Sequence, residues 1–150
     1  MSKPELRLSN QICFLVYRLE REINARYRPL LKRLGLTYPQ YLILLVLWEE
    51  DGRTVGQLCA ALGLDTGTVS PLLKRMDREG LISRVRKTGD ERTVTVTLTA
   101  DGKALQKRAL ILPKTIATCL GLNAESYVDL HARLRGVLGT LKKQDSVIVP

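Results

Sequence analysis

The stretch Asp65-Thr66-Gly67-Thr68-Val69-Ser70-Pro71-Leu72-Leu73-Lys74-Arg75-Met76-Asp77-Arg78-Glu79-Gly80 constrains the chain most, because at helical pitch its two faces carry opposite chemistry. Val69, Leu72, Leu73 and Met76 fall at i, i+3, i+4 and i+7 and form an apolar stripe that must face a core. The other face holds Gly67, Ser70, Pro71, Lys74 and Arg78, with Thr68 and Arg75 on its flank. It is small at the front and basic at the back. Small side chains let a helix sink into a groove and reach base edges, while Lys and Arg behind them meet phosphates. The pattern predicts a recognition helix. Pro71 breaks a local rule, since its ring would clash with the carbonyl of Gly67 in an established helix. Two outcomes are open: a helix that starts as late as Thr68, or one that bends.

The flanks agree. Thr54-Val55-Gly56-Gln57 is a capping-box pattern opening a short helix with Val55, Leu58, Cys59 and Leu62 on its apolar stripe. Gly63-Leu64-Asp65 then supplies a turn and a new N-cap, which makes a helix-turn-helix. Gly80 suits a left-handed C-terminal cap. Residues 81–87 and 93–99 read as strands around the charged loop Thr88-Gly89-Asp90-Glu91-Arg92, the second alternating Thr with Val94, Val96 and Leu98. A hairpin placed directly after such a helix is a wing.

Residues 8–34 show a long helical pattern, with Ile12, Val16, Leu19, Ile23 and Tyr27 on one stripe and Pro29 expected to kink or end it. Thr37-Tyr38-Pro39-Gln40 is a second capping box, followed by residues 41–48, apolar on all sides and so expected to be buried all round. After the wing, Thr99 caps a helix to about residue 112, where Pro113 interrupts or bends a pattern that resumes to Cys119. Beyond Gly121-Leu122-Asn123, a last helix repeats Tyr127, Leu130, Leu134, Val137, Leu138 and Leu141 at heptad-like steps. The apolar stripes at both ends are expected to pack together and on a second copy of the chain. Only the tail, residues 142–150, looks frayed.

The fold class is therefore mainly α with a small β-hairpin wing. The expected organisation is one domain over residues 1–150, with a winged helix-turn-helix over about 37–99 and dimerisation helices over about 8–34 and 100–143. A two-fold dimer would read an inverted repeat with half-sites roughly 34–36 Å apart.

Composition supports this without carrying it. The net charge is +9, but it divides as +5 over residues 1–34, −2 over 35–64, +2 over 65–92 and +4 over 93–150. The DNA-reading segment is thus not the most basic part, and helix and wing geometry bears the argument. The longest apolar run falls far short of the roughly 20 residues a membrane span needs, and no signal peptide is legible, so a cytoplasmic protein without membrane partners is expected. Three Cys and one His without clustered spacing indicate neither a disulfide framework nor a zinc site, and no cofactor is expected.

Each thiol is therefore weighed alone. Cys59 lies on an apolar stripe and reads as a small buried hydrophobe. Cys13 stands about one turn into its helix if Ser9 is near the N-cap, where a helix dipole favours thiolate; core filling is the plainer alternative.

Asn10-Gln11-Ile12-Cys13-Phe14, Tyr27-Arg28-Pro29-Leu30-Leu31, Leu36-Thr37-Tyr38-Pro39-Gln40-Tyr41, residues 44–51, Leu64-Asp65-Thr66-Gly67-Thr68, Pro71-Leu72-Leu73-Lys74-Arg75 and Asp90-Glu91-Arg92 together resemble the MarR family of winged-helix repressors. Within it they are similar to the organic-hydroperoxide-sensing, OhrR-like branch. The resemblance covers about residues 8–100. It implies a homodimeric cytoplasmic repressor, not an enzyme, that reads a palindromic operator in double-stranded DNA and releases it when organic hydroperoxide oxidises Cys13. It nominates Tyr27 and Tyr38 as hydrogen-bond donors to the sulfur, with aromatic packing as the alternative reading. Cys13 and Tyr27 are 14 residues apart on one helix, about 21 Å at 1.5 Å per residue. A sulfur held by Tyr27 must therefore belong to the other subunit. Cys119 is either a resolving cysteine that forms an intersubunit disulfide or a packing residue; in the one-Cys route a low-molecular-weight thiol caps the sulfenic acid instead.

The DNA contacts expected are Thr66, Gly67, Thr68, Ser70, Pro71, Lys74, Arg75 and Arg78 on the helix, with Arg86, Asp90 and Arg92 on the wing. In the family's wing motif the Arg enters the minor groove and the Asp helps hold it, a reasonable shape readout. Lys87-Thr88-Gly89 departs from the Ser-Pro-Glu often found there. Other readings are a regulator released by a small aromatic acid, a thiol peroxidase, and a sequence-indifferent nucleoid protein.

Overall fold

The computed structural model describes residues 3–87 and 90–143, the side chains of 87 and 90–92 excepted. The chain divides into two compact units, Met1–Leu112 and Pro113–Pro150.

In the first unit, two short 3-10 turns, Pro4–Leu6 and Leu8–Asn10, precede α1 (Ile12–Lys32). The N-cap of α1 is Gln11 and not Ser9, because Gln11 Nε2 donates to the carbonyls of Glu5 (2.7 Å) and Arg7 (3.2 Å) and folds the lead-in against itself. The helix continues past Pro29 and ends at Lys32. Proline there removes one ladder bond, to the Ala25 carbonyl, and leaves the rest of the last turns to hold the helix.

α2 (Tyr38–Glu49) opens on the capping box, with the Thr37 N–H donating to Gln40 Oε1 at 2.8 Å. Tyr41, Ile43, Leu44 and Leu47 are fully buried, but Leu45 is 39% exposed, so the helix is not enclosed on every side as its composition suggested. At its far end the Trp48 indole N–H donates to the Gly102 carbonyl at 2.9 Å.

β1 (Arg53–Thr54) leads into α3 (Val55–Leu62), whose N-cap Thr54 accepts from the Gln57 N–H. α4 (Thr66–Arg78) follows the turn, its first N–H groups met by Asp65, which accepts from Thr68 N–H at 2.7 Å. α4 closes in a Schellman motif: Gly80, at φ 73°, donates to Asp77 O, and Leu81 N–H reaches Met76 O. The left-handed cap expected of Gly80 is present.

β2 (Ile82–Lys87) and β3 (Asp90–Leu98) form the hairpin, with β1 added on the far edge of β3 in the order β1-β3-β2. The sequence reading missed β1, because two residues show no alternation; pairing of Arg53 with Val96 and Thr54 with Thr95 creates the strand. The expected loop over 88–92 also shortens, since Asp90 already pairs with Lys87, across a register irregularity between Arg86 and Lys87.

α5 (Ala100–Ala109) is capped by Thr99, which accepts from Gly102 N–H and donates to Gly80 O at 2.6 Å, joining the sheet to the end of α4. Gly102 is obligatory: a Cβ there would lie 2.1 Å from the Leu81 carbonyl oxygen. The core unites Leu31, Leu44, Leu47, Leu58, Val69, Leu73, Met76, Ile82 and Val96, each such side chain contributing about 1.5–3 kcal/mol on burial.

α6 (Leu112–Cys119) starts anew after a break at Leu110 and Ile111, so the interruption falls ahead of Pro113, which sits in the first turn of α6. In the second unit Gly121 ends α6, and Asn123 and Ser126 cap α7 (Ala124–Lys143) reciprocally, at 2.8 and 3.0 Å. Its heptad residues Leu134, Val137, Leu138 and Leu141 are exposed in this chain. Lys142 and Lys143, expected to belong to a frayed tail, are the last residues of α7, and residues 144–150 lie outside the described residues. Among the described residues no helix is long and apolar enough to cross a membrane.

Candidate functional site

The two faces of α4 separate as their chemistry requires. Val69, Leu73 and Met76 are buried, Leu72 is half-buried, and Thr66, Gly67, Thr68, Pro71, Lys74, Arg75 and Arg78 are exposed, with Ser70 half-buried between them. The helix starts at Thr66, not Thr68, so Pro71 lies in its second turn and the Gly67 carbonyl is left without a ladder donor. Asp65 anchors the start. Hydrogen bonds from Thr68, backbone first and hydroxyl next, hold its carboxyl below the usual carboxylate range.

Arg86 is exposed on β2. The side chains of Asp90 and Arg92 lie outside the described residues. An ion pair that sequence reasoning missed, Arg84 Nε to Asp77 Oδ2 at 3.0 Å, ties the base of the wing to α4. It connects a strand to a helix across a turn, and no local spacing signals it. Cys59 is half-buried, its sulfur 3.9 Å from Thr66 Oγ1 at the start of α4, and is thus less enclosed than its stripe suggested.

Cys13 is exposed in the first turn of α1, one residue past its start, and so stands nearer the positive end of the helix than a cap at Ser9 would place it. Ile12, Leu15, Val16 and Tyr17 around it are exposed as well. Four neighbouring apolar side chains left open on one helix end make a surface that water disfavours.

Tyr27 and Tyr38, from different helices, come together with ring centroids 4.8 Å apart, and Tyr41 packs at 5.8 and 6.4 Å from them. Burial first, and then the Glu20 carboxylate, raise the Tyr38 phenol above its ordinary range. The Tyr41 phenol is raised by burial and then by Tyr38. Tyr38 therefore stays protonated at neutral pH and keeps its hydrogen as a donor. Cys119, at the end of α6, is exposed. Among the described residues no cluster of His, Cys, Asp or Glu could hold a metal ion.

A second contact that sequence reasoning missed runs from α2 to α4. Gln40 is 2% exposed, and its Nε2 donates to Glu79 Oε2 at 2.7 Å while its Oε1 accepts from Thr37 N–H. The capping box explained one half of this amide; a partner 39 residues away was invisible to it.

Comparison with known proteins shows the family and the fold. The family described as transcriptional regulator SarA/Rot matches residues 25–108. The chain is 48% identical over 136 residues to the organic hydroperoxide resistance transcriptional regulator of Bacillus subtilis, covering 91% of this chain and 90% of that one. The structure of reduced AbfR bound to DNA, AbfR being a Staphylococcus epidermidis protein, superimposes with a TM-score of 0.81 at 34% identity, over 97% of this chain and all of that one. Disulfide-formed AbfR matches with a TM-score of 0.64 at 34% identity, over 89% and 94% of the two chains.

Proposed function

This chain belongs to the MarR/SarA family of winged-helix transcriptional regulators, and on that premise we propose that it is a thiol-based repressor released by organic hydroperoxides. The family is one of DNA-binding regulators and not of enzymes. In this reading two copies join through the exposed apolar stripes at their ends and read a palindromic operator with paired α4 helices and wings, in the cytoplasm.

The observation that carries the reading is the 48% identity to a regulator named for organic hydroperoxide resistance, in a chain whose Cys13 sits exposed on the first turn of α1. The sulfur attacks the outer oxygen of the hydroperoxide, the O–O bond breaks, and an alcohol leaves. Cys13 becomes a sulfenic acid. A second thiol, from Cys119 of the other copy or from a small molecule, then displaces water to form a disulfide. The Tyr27–Tyr38 pair of the other subunit holds the reduced sulfur and loses its grip on the oxidised one. A hundredfold fall in operator affinity needs only about 2.8 kcal/mol, the scale of one or two hydrogen bonds to a charged group.

The test is operator binding with and without cumene hydroperoxide, for wild type and Cys13→Ala. Wild type is expected to release the operator and Cys13→Ala to retain it. A Cys13→Ala variant that still lets go under peroxide overturns the proposal and points to release by a bound small molecule. A non-reducing gel of the same samples decides the part of Cys119: a dimer band that Cys119→Ala removes assigns it as the resolving thiol.

A further inference from the structure

Gln40 is buried, yet its amide joins two places with separate tasks. Its Oε1 accepts from Thr37, the N-cap of α2, at 2.8 Å; its Nε2 donates to Glu79, the C-cap of α4, at 2.7 Å. Tyr38, two residues before it, packs against Tyr27. Glu79 in turn holds the end of α4 through its own N–H, which donates to the Arg75 carbonyl at 2.9 Å. The link lies along a cavity of about 770 Å³ between α1, the α1–α2 turn and the end of α4, so it is not backed on that side by packed hydrocarbon. The middle of α4 packs on α2 through Val69, Leu73 and Met76, whereas its Glu79 end is joined to α2 by this hydrogen bond.

We infer that Gln40 is a positioning residue that fixes the recognition helix to the Tyr38 end of α2 and carries a change at the tyrosine pair to the DNA-reading face. The transmission half rests on the redox reading above. The positioning half does not. A neutral amide donor on a carboxylate makes a charge-assisted bond, stronger than one between neutral groups. Losing it loosens the Glu79 end of α4, while the packing of Val69, Leu73 and Met76 keeps the core folded.

The chemistry supplies its own control. Gln40→Glu keeps an acceptor for the Thr37 N–H, and so the cap of α2, but sets one carboxylate against another. Adding Glu79→Gln restores a donor–acceptor pair with the roles exchanged. For Gln40→Glu we expect reduced-state operator affinity to fall by roughly tenfold or more, the loss of one hydrogen bond to a charged group. Release by cumene hydroperoxide should shrink with it, while trapping of the Cys13 sulfenic acid by dimedone proceeds at the wild-type rate. Gln40→Glu with Glu79→Gln should recover both affinity and release, and Glu79→Gln alone should bind nearly as wild type, since its amide oxygen still accepts from Gln40. Circular dichroism and thermal melting confirm that each variant is folded.

Wild-type affinity in Gln40→Glu, or a loss that Glu79→Gln fails to restore, overturns the inference. Restored affinity without restored release overturns its transmission half. A wild-type protein indifferent to hydroperoxide overturns the redox reading instead, and rescue in the reduced state then still supports Gln40 as the residue that positions α4.

Discussion

The rings of Tyr27, in the last two turns of α1, and Tyr38, at the first position of α2, meet with centroids 4.8 Å apart and planes tilted by 41°. The turn between the helices brings two phenols side by side at one end of α1, and Cys13 stands at the other, about 21 Å along the axis. No bending of a continuous helix closes that distance.

Tyr27→Phe and Tyr38→Phe keep the packed rings and remove only the hydroxyls. Each is expected to leave the melting temperature close to wild type and to slow Cys13 oxidation by roughly tenfold, the effect of one hydrogen bond to a charged sulfur. A mixed dimer then tells which chain supplies the phenols. Pairing a Cys13→Ala protomer with a Tyr27→Phe/Tyr38→Phe protomer leaves one complete site if cysteine and tyrosines come from opposite chains, and none if they come from the same chain. Dimedone labelling at close to half the wild-type extent is expected; a rate as slow as that of the Tyr27→Phe/Tyr38→Phe homodimer would refute the shared site.

Lys74 and Arg78 lie exposed on the rear of α4, while Thr68 and Ser70 lie toward its front. Lys74→Ala should weaken binding to specific and random duplexes alike and lower the slope of log affinity against log salt by about 0.9 per subunit, one phosphate contact. Ser70→Ala should instead cost about 1–3 kcal/mol at one base-pair position and leave that slope unchanged. Titrations at several salt concentrations separate the two.

Gly102 packs its bare α-carbon against the Leu81 carbonyl, and its own carbonyl takes the Trp48 indole N–H at 2.9 Å. Gly102→Ala must push α5 away from the end of the wing, since the obstacle is backbone. A loss of about 1–3 kcal/mol is expected, the usual cost of overpacking. Denaturant unfolding measures it, and a shift in Trp48 emission reports the strained contact.

Asp65 caps α4 as a carboxylate, and its hydrogen bonds from Thr68 lower its folded-state pKa. The stabilisation is present at all pH above the unfolded value of about 3.9 and disappears as pH falls through the lower folded value. Asp65→Asn caps nearly as well and does not titrate. Wild type and Asp65→Asn should therefore run parallel from neutral pH to about pH 4, with wild type losing stability relative to the variant below it. Thermal melts across that range show it; curves that stay parallel down to about pH 2 would assign the cap no ionic part.

By itself the sequence determined the elements whose rules act within one or two turns. The amphipathic α4, the caps at Thr37, Thr54, Asp65 and Thr99, the left-handed Gly80 and the alternating β3 all follow from spacings of two to four residues, and all are present. The family likeness was legible for the same reason, being written in short runs. Tertiary structure decided the rest. β1 exists because Arg53 and Thr54 find Val96 and Thr95; α1 starts at Ile12 because Gln11 folds back on the residues before it; Tyr27 meets Tyr38, and Gln40 reaches Glu79. Periodicity names the face a residue occupies on its own element. It holds no information on which distant group will stand opposite, because that depends on how separate elements share one core.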